Sequence, residues 1–351
     1  MRNKSFAIAF LALQVVLYAA VSGTVQPKET DFPAFYSAAR SWSNGQNPYD
    51  LEEQCRLQVP IRGVPCLPFA HPPILLPLIS LISNESFDSS YYRWKLLLFI
   101  VSALCIVPLY QISRDWALSF QSILFLPVII AIALGQDTPF ILLAVLSWAL
   151  LLTRNRDLLA GLALSFAVLK PQIAILLALP MLFSRPRAFV GFCIGATALV
   201  VYSFALVGEP GFRGLLGIVK VMSQAEGFGV NSKNMLNATA LLTRAGLSSM
   251  WSWVIFGLGL LAVSVVWKRR GTSLNELGPG IIVALFCAPH LHFHDLSLLI
   301  VSLILLPGLL SIMLCSVLLL MAYALGLDQW AGYALMLGLA VIQFANHDPK
   351  S

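Results

Sequence analysis

Long apolar runs, separated by short polar turns, fill most of this chain. Such runs occur at residues 5–26, 91–113, 116–134, 138–153, 157–169, 171–183, 188–207, 251–267, 277–289, 296–306, 308–326 and 329–345. A bilayer's hydrocarbon core is about 30 Å thick, so an apolar run of roughly 20 residues crosses it as a helix. Backbone groups in lipid must be satisfied within the segment, which excludes isolated strands. The pattern therefore predicts an all-α, polytopic integral membrane protein with about 12 transmembrane helices, in a range of 9–12, forming a single transmembrane domain over 1–351. Residues 74–82 are also apolar, but Pro72-Pro73 precede them and Pro77 interrupts them. That stretch is expected to be re-entrant or interfacial. Residues 1–25 have the basic start, apolar core and small residues of a signal peptide. They are long enough to span, and a retained first helix is the expectation.

Charge orients the bundle. Arg2 and Lys4, Arg114, Arg154 and Arg156, Arg185 and Arg187, and Lys268-Arg269-Arg270 occupy alternate connections, and with twelve spans they share one side. The positive-inside rule makes that side cytoplasmic, with both termini. Arg93 and Lys95 run against this assignment. A first extracytoplasmic loop is expected over 27–90 and a second over 208–250. Gly135-Gln136-Asp137, Lys170-Pro171-Gln172 and the run from His290 to Asp295 fall on the same outer face. Composition fits a multi-pass protein of a cell membrane: 58% hydrophobic, 11% charged, mean hydropathy +0.83. The net charge of +6 has no basic stripe with aromatic platforms, so nucleic acid is not an expected partner.

The candidate chemistry lies on that outer face. Asp31 is placed to act as a general base towards a lipid-borne substrate, and burial would tune it. It could instead cap the helix that begins Phe32-Pro33. Tyr36 and Arg40, one turn apart, could meet sugar and phosphate; aromatic residues here also suit a membrane interface. Lys170, embedded between apolar stretches at a proline break, suits a lipid-linked phosphate, or snorkels from a helix end. His290, His292, His294 and Asp295 form the densest titratable cluster. They could contact phosphate, and His292 with His294 could chelate a metal; Asp295 could cap the next helix. Gly135-Gln136-Asp137 reads as a polar turn. Cys55 and Cys66, eleven positions apart in the outer loop, are a disulfide candidate if that loop meets an oxidising compartment. Cys105, Cys193, Cys287 and Cys315 read as packing residues. Asn237-Ala238-Thr239 matches a glycosylation acceptor, and Asn231-Ser232-Lys233-Asn234 is a polar stretch. No nucleotide-binding glycine loop or nucleophile elbow is present, and no cofactor is expected.

Asp31, Tyr36, Ala38-Ala39, Gly45, Pro48-Tyr49, Pro72-Pro73, Gly135-Gln136 and Lys170-Pro171-Gln172, in that order, resemble glycosyltransferase family 87 of the GT-C superfamily. His71 stands where this family is expected to carry an aromatic residue such as Tyr. The resemblance implies a polyprenyl-phosphate sugar, often mannose, as donor. It implies a glycolipid or glycan acceptor on the extracytoplasmic side and an inverting displacement with Asp31 as base. Arg40, Tyr36, His71, Gln136, Asp137, Lys170, Gln172, His290, His292, His294 and Asp295 are then the candidates for binding donor phosphate or substrate. A competing expectation is a transporter or flippase, which broken helices and Lys170 would also suit. A non-catalytic assembly partner is a third, for which Asp31 would be dispensable.

Overall fold

The computed structural model describes residues 25–345 apart from 64, 84, 85, 224–234, 249, 306–308 and 325, together with residues 12, 14, 16 and 23. Most of the first apolar run, and with it the signal-peptide question, lies outside the described residues, as does the polar stretch Asn231–Asn234. Among the described residues the chain is helical and contains no strand.

Eight helices lead to the first half of the bundle: α1 (Phe32–Ser43), α2 (Leu51–Arg62), α3 (Leu76–Ile82), α4 (Phe87–Leu104), α5 (Ile106–Ser113), α6 (Trp116–Ile123), α7 (Leu126–Ala133) and α8 (Thr138–Thr153). The second half comprises α9 (Asp157–Ser165), α10 (Pro171–Ala178), α11 (Met181–Ser184), α12 (Pro186–Ser223), α13 (Ala238–Arg244), α14 (Trp251–Arg270), α15 (Leu274–Cys287), α16 (Ile300–Leu303), α17 (Leu309–Ala324) and α18 (Asp328–Ala345). Short 3-10 turns at Pro27–Glu29, Pro73–Leu75, Phe166–Leu169 and Phe293–Leu299 join them.

The expected all-helical bundle is present, and only part of the expected set of spans is seen as single long helices. Among the described residues three helices are individually long and apolar enough to cross a membrane: Phe87–Ser113, Pro186–Val221 and Trp251–Arg270. A fourth is gained if α6 and α7, bent by 42°, form one span. Several other predicted runs fold as shorter apolar helices, including Thr138–Thr153 and Leu274–Cys287. Local chemistry explains the breaks. Pro127 opens α7 after the bend, and Pro171 opens α10 after the 3-10 turn at Phe166–Leu169. Proline cannot donate an intrahelical hydrogen bond and restrains the residue before it. The 74–82 stretch is one 3-10 turn plus the seven-residue α3. At about 1.5 Å per residue it cannot cross the core alone. Within 208–250, α12 kinks at Gly208 (φ 63), close to Pro210, and continues helical to Ser223.

Small residues let α9 and α12 pack closely. A Cβ on Gly161 would meet the Ala188 carbonyl oxygen at 1.9 Å, and one on Gly191 would meet that of Leu158 at 2.2 Å. Gly195, one turn on, abuts the Ser165 hydroxyl. Close backbone approach at small residues is how helices associate where lipid removes the hydrophobic drive. Large apolar side chains such as Val200, Phe204, Leu258, Leu261 and Leu337 remain exposed on the bundle. A surface of this kind suits lipid rather than water.

Four runs give the bundle two chemically distinct ends. α8 has Asp137 before its start and Arg154 after its end. Its 16 residues separate them by about 24 Å at 1.5 Å per residue. The run from Asp157 to Lys170 returns, the run from Gln172 to Arg185 goes back, and α15 returns from Ser273 towards His290. Arg185 ties the basic end together. Its guanidinium donates to Thr272 Oγ1 at 2.8 Å, Asn155 Oδ1 at 3.3 Å and Asp157 Oδ1 at 3.4 Å.

Candidate functional site

The polar end begins at the residue just before α1. Asp31 occupies the N-cap position, yet its side chain makes no capping bond. Thr30 caps the helix instead, its hydroxyl accepting from the Phe32 amide at 3.2 Å. The Asp31 amide is anchored to the Leu134 carbonyl at 3.2 Å. Its carboxylate accepts from Gln136 Nε2 at 2.5 Å. The simple capping role is thus overturned, and the carboxylate faces the turn between α7 and α8.

That turn is built around Gly135, whose φ of +72 favours glycine. A Cβ there would also lie 3.1 Å from Phe32 Cβ, so the turn fits tightly against α1. Trp94 Nε1 donates to the Gly135 carbonyl at 2.8 Å, and Tyr91 Oη donates to that of Ala133 at 2.7 Å. Two aromatic residues of α4 therefore hold a turn that presents Gln136 to Asp31 and Asp137 to His71. Asp137 is fully buried, with Oδ2 at 2.9 Å from His71 Nδ1.

His71 arrives on an extended stretch, and α2 supplies its missing partners. Gln54 accepts from the Phe69 amide at 2.8 Å and donates to the Pro48 carbonyl at 2.6 Å. One turn later Gln58 accepts from the Leu67 amide and donates to its carbonyl, each at 2.8 Å, and also reaches Ser37 Oγ on α1 at 2.9 Å. Tyr49 Oη donates to the His71 carbonyl at 2.8 Å. Both glutamines are buried, where unsatisfied amides would be costly. Cys55 and Cys66 are disulfide-bonded, with Cα atoms 5.3 Å apart, and close the same segment. The His71 ring packs 4.7 Å from Phe35, one turn after Asp31 on α1.

The third part is the 3-10 turn after α15. Lys170, buried at the α10 break, ion-pairs with Asp295, contacts His294 Nε2 at 3.1 Å and donates to Thr138 Oγ1 at 3.4 Å. Asp295 takes part in the cap of this turn from its third position, not from the N-cap, which is His292. It sits inside the turn, and its Oδ2 accepts from the His292 amide at 2.9 Å. The rings of His290 and His292 lie 4.6 Å apart, those of His292 and His294 5.8 Å. Burial holds His290 and His292 below the usual histidine range; Lys170 opposes charge on both, and Asp295 partly offsets this. The charge of Asp31 is felt at His292 and that of His71 at His290, which brings the three parts into one neighbourhood. Gln172 Nε2 reaches the His290 carbonyl at 3.4 Å.

Other candidates fall elsewhere. Arg40 turns away to donate to the Ser83 carbonyl at 3.3 Å. Tyr36 packs against Phe32 and Phe87. Among the described residues no three His, Cys, Asp or Glu side chains are grouped to hold a metal ion, and His294 faces Lys170. The glycosylation match at Asn237 is a buried helix cap: it accepts from the Ala240 amide at 3.0 Å and donates to the Ala288 carbonyl at 2.7 Å. Its burial closes it to a modifying enzyme. Sequence reasoning did not single out Thr138, Trp94, Gln54 or Gln58. Only the glutamines left a trace, as polar residues one helical turn apart around Cys55.

The family model described as glycosyltransferase family 87 matches residues 69–291, more than half of the chain. The match includes His71, the Gln136-Asp137 turn, Lys170 and His290, but starts after Asp31 and ends before Asp295. No curated protein and no solved structure matches.

Proposed function

The chain belongs to glycosyltransferase family 87, and we propose that it moves a hexose, with mannose the expected sugar, from a polyprenyl-phosphate donor to a glycolipid or glycan acceptor. Apolar helices long enough to cross a membrane accompany the family match, and they suit a donor that resides in the bilayer. The reaction would occur on the extracytoplasmic face of a cell membrane, with both termini cytoplasmic, in a GT-C-like bundle.

The observation that carries the mechanism is the Asp31 carboxylate, free of its capping duty and oriented by Gln136 at 2.5 Å. Only one of its oxygens is hydrogen-bonded by Gln136, which leaves the other for an acceptor hydroxyl. In an inverting displacement that hydroxyl loses its proton to Asp31 as its oxygen bonds to the sugar's anomeric carbon. The bond from that carbon to phosphate breaks, and the electron pair leaves with the phosphate. One carboxylate is sufficient, because a phosphate is already a good leaving group. Lys170, Gln172, His290, His292, His294 and Asp295 would frame the donor's phosphate end, with hydrogen-bond donors where charge builds. Tyr36 would stay at the lipid-facing rim, and Arg40 would secure α1 to the end of α3.

Sugar transfer by the purified protein tests this reading. Labelled polyprenyl-phosphate sugars and a membrane-lipid extract are supplied to wild type and to Asp31→Asn. Product from wild type alone is expected. Equal product from both would remove Asp31 as base.

A further inference from the structure

A donor that carries a phosphate needs positive charge at the site, and the obvious cations are already engaged. Lys170 faces the buried Asp295 carboxylate. The Arg40 guanidinium is turned to the Ser83 carbonyl. Burial favours the neutral forms of His290 and His292. Asp31, Asp137 and Asp295 meanwhile place three carboxylates here, and they would repel an anionic lipid unless another cation offset them.

His71 meets that need. Its Nδ1 lies 2.9 Å from Asp137 Oδ2, and its side chain keeps 21% exposure beside an Asp137 with none. Neither oxygen of the Asp137 carboxylate has a hydrogen-bond partner among the described residues, so the 2.9 Å approach of His71 is an ion-pair contact and not a hydrogen bond. A carboxylate buried in this way is stable as an anion only beside a positive charge. With Nδ1 turned to Asp137, Nε2 is the ring nitrogen left for a ligand. Asp137 and Gln136 are consecutive, and Gln136 holds Asp31. One turn of backbone thus fixes the base and the imidazole together. Gln54, Gln58 and Tyr49 hold the backbone that carries His71.

We propose that His71, ion-paired with the buried Asp137 carboxylate, donates a hydrogen bond from Nε2 to the phosphate of the lipid donor and keeps it as that phosphate leaves. This rests on the transferase reading above. As the bond from the anomeric carbon to oxygen breaks, its electron pair passes to the phosphate, whose charge grows by one. The acceptor's proton goes to Asp31, and His71 retains its own. His71 is then a catalytic residue; Asp137, Gln54 and Gln58 are positioning residues.

The test compares binding of a short-chain polyprenyl phosphate with that of the uncharged polyprenol, on full-length purified protein. Wild type is expected to prefer the phosphate. His71→Gln should weaken the phosphate at least tenfold and leave polyprenol unchanged, which also reports an intact fold. His71→Lys should restore part of the preference, because a cation rather than an imidazole shape is required. Asp137→Asn should lower phosphate affinity and kcat with little change in acceptor KM, a split that a general loosening of the fold would not produce. If His71→Gln keeps the full preference, the inference fails and the transferase reading stands. If wild type itself shows no preference for the phosphate, the lipid-phosphate donor fails first. If His71→Gln loses both ligands, His71→Lys decides: recovery of the phosphate preference supports the cation, and its absence rejects it.

Discussion

The two ends of the helical bundle are made from similar kinds of polar residue and do opposite things with them. At the basic end, Arg185 hydrogen-bonds to side chains of two other connections while remaining partly exposed. A cavity of about 480 Å³ opens there, lined by Asn155, Arg185, Arg270, Thr272 and Ser273 among others, with no carboxylate or histidine in its wall. At the other end, Asp137, Lys170 and Asp295 are sealed from solvent and paired with one another or with histidine. Solvated charge at a helix end costs little and anchors the bundle; buried charge is costly unless partnered. On the proposed function the chemistry belongs with the buried pairs and not with the cavity at the basic end. That contrast is consistent with one end serving as an anchor and the other as the site.

The contrast can be broken first at Asp31. Asp31→Asn should lower sugar transfer by about 10²–10⁴-fold, the usual contribution of a positioned base, with donor binding retained. Next comes Lys170→Met, which strands the Asp295 carboxylate in the interior. It should cost about 3–5 kcal/mol in thermal or denaturant unfolding in detergent. Adding Asp295→Asn to the same chain should recover much of that loss, and no recovery would mean that the pair is not the cause.

A smaller effect is expected at the turn. Gly135→Ala forces a side chain into φ +72 and against Phe32. A cost of about 1–2 kcal/mol is expected, together with reduced transfer, because Gln136 and Asp137 shift with the turn. The histidines sharpen the comparison through pH. Burial lowers the folded-state pKa of His290 and His292 below 6.5. Below pH 6.5 the unfolded chain takes up protons at these two rings that the folded one refuses, so their contribution to stability should be constant above that value and fall on acidification. Unfolding midpoints between pH 8 and pH 5 check the sign; a rise towards acid would mean that the rings are charged when folded. The least effect is expected at the basic end. Arg185→Lys should cost about 0–1 kcal/mol, as for other partly exposed pairs, and leave transfer unchanged.

Much of the helical framework was legible in the chain. The run at 138–153 became Thr138–Thr153, and that at 251–267 lies within Trp251–Arg270. Apolar length and flanking polar residues are local properties, and helices respond to them locally. Where proline interrupts a run, as at Pro127 and Pro171, the same local rule ended the helix and divided the apolar pattern into pieces shorter than a span. The candidate site was legible as a set of residue types: Asp31, Gln136, Asp137, Lys170 and the histidines all came from polar residues at the edges of apolar runs.

What the sequence determined by itself was where most helices lie, which polar residues border them and which family pattern the chain follows, because each depends on neighbours in the chain. Only the tertiary structure decided the pairings. Gln136 reaches Asp31 across 105 positions, Lys170 meets Asp295 across 125, and Gln58 replaces a strand partner for the segment leading to His71. It also decided that Arg40 faces a carbonyl and that Asn237 is a buried cap. Such choices follow from which helices pack together, and a buried polar group takes whichever partner that packing brings within hydrogen-bond reach.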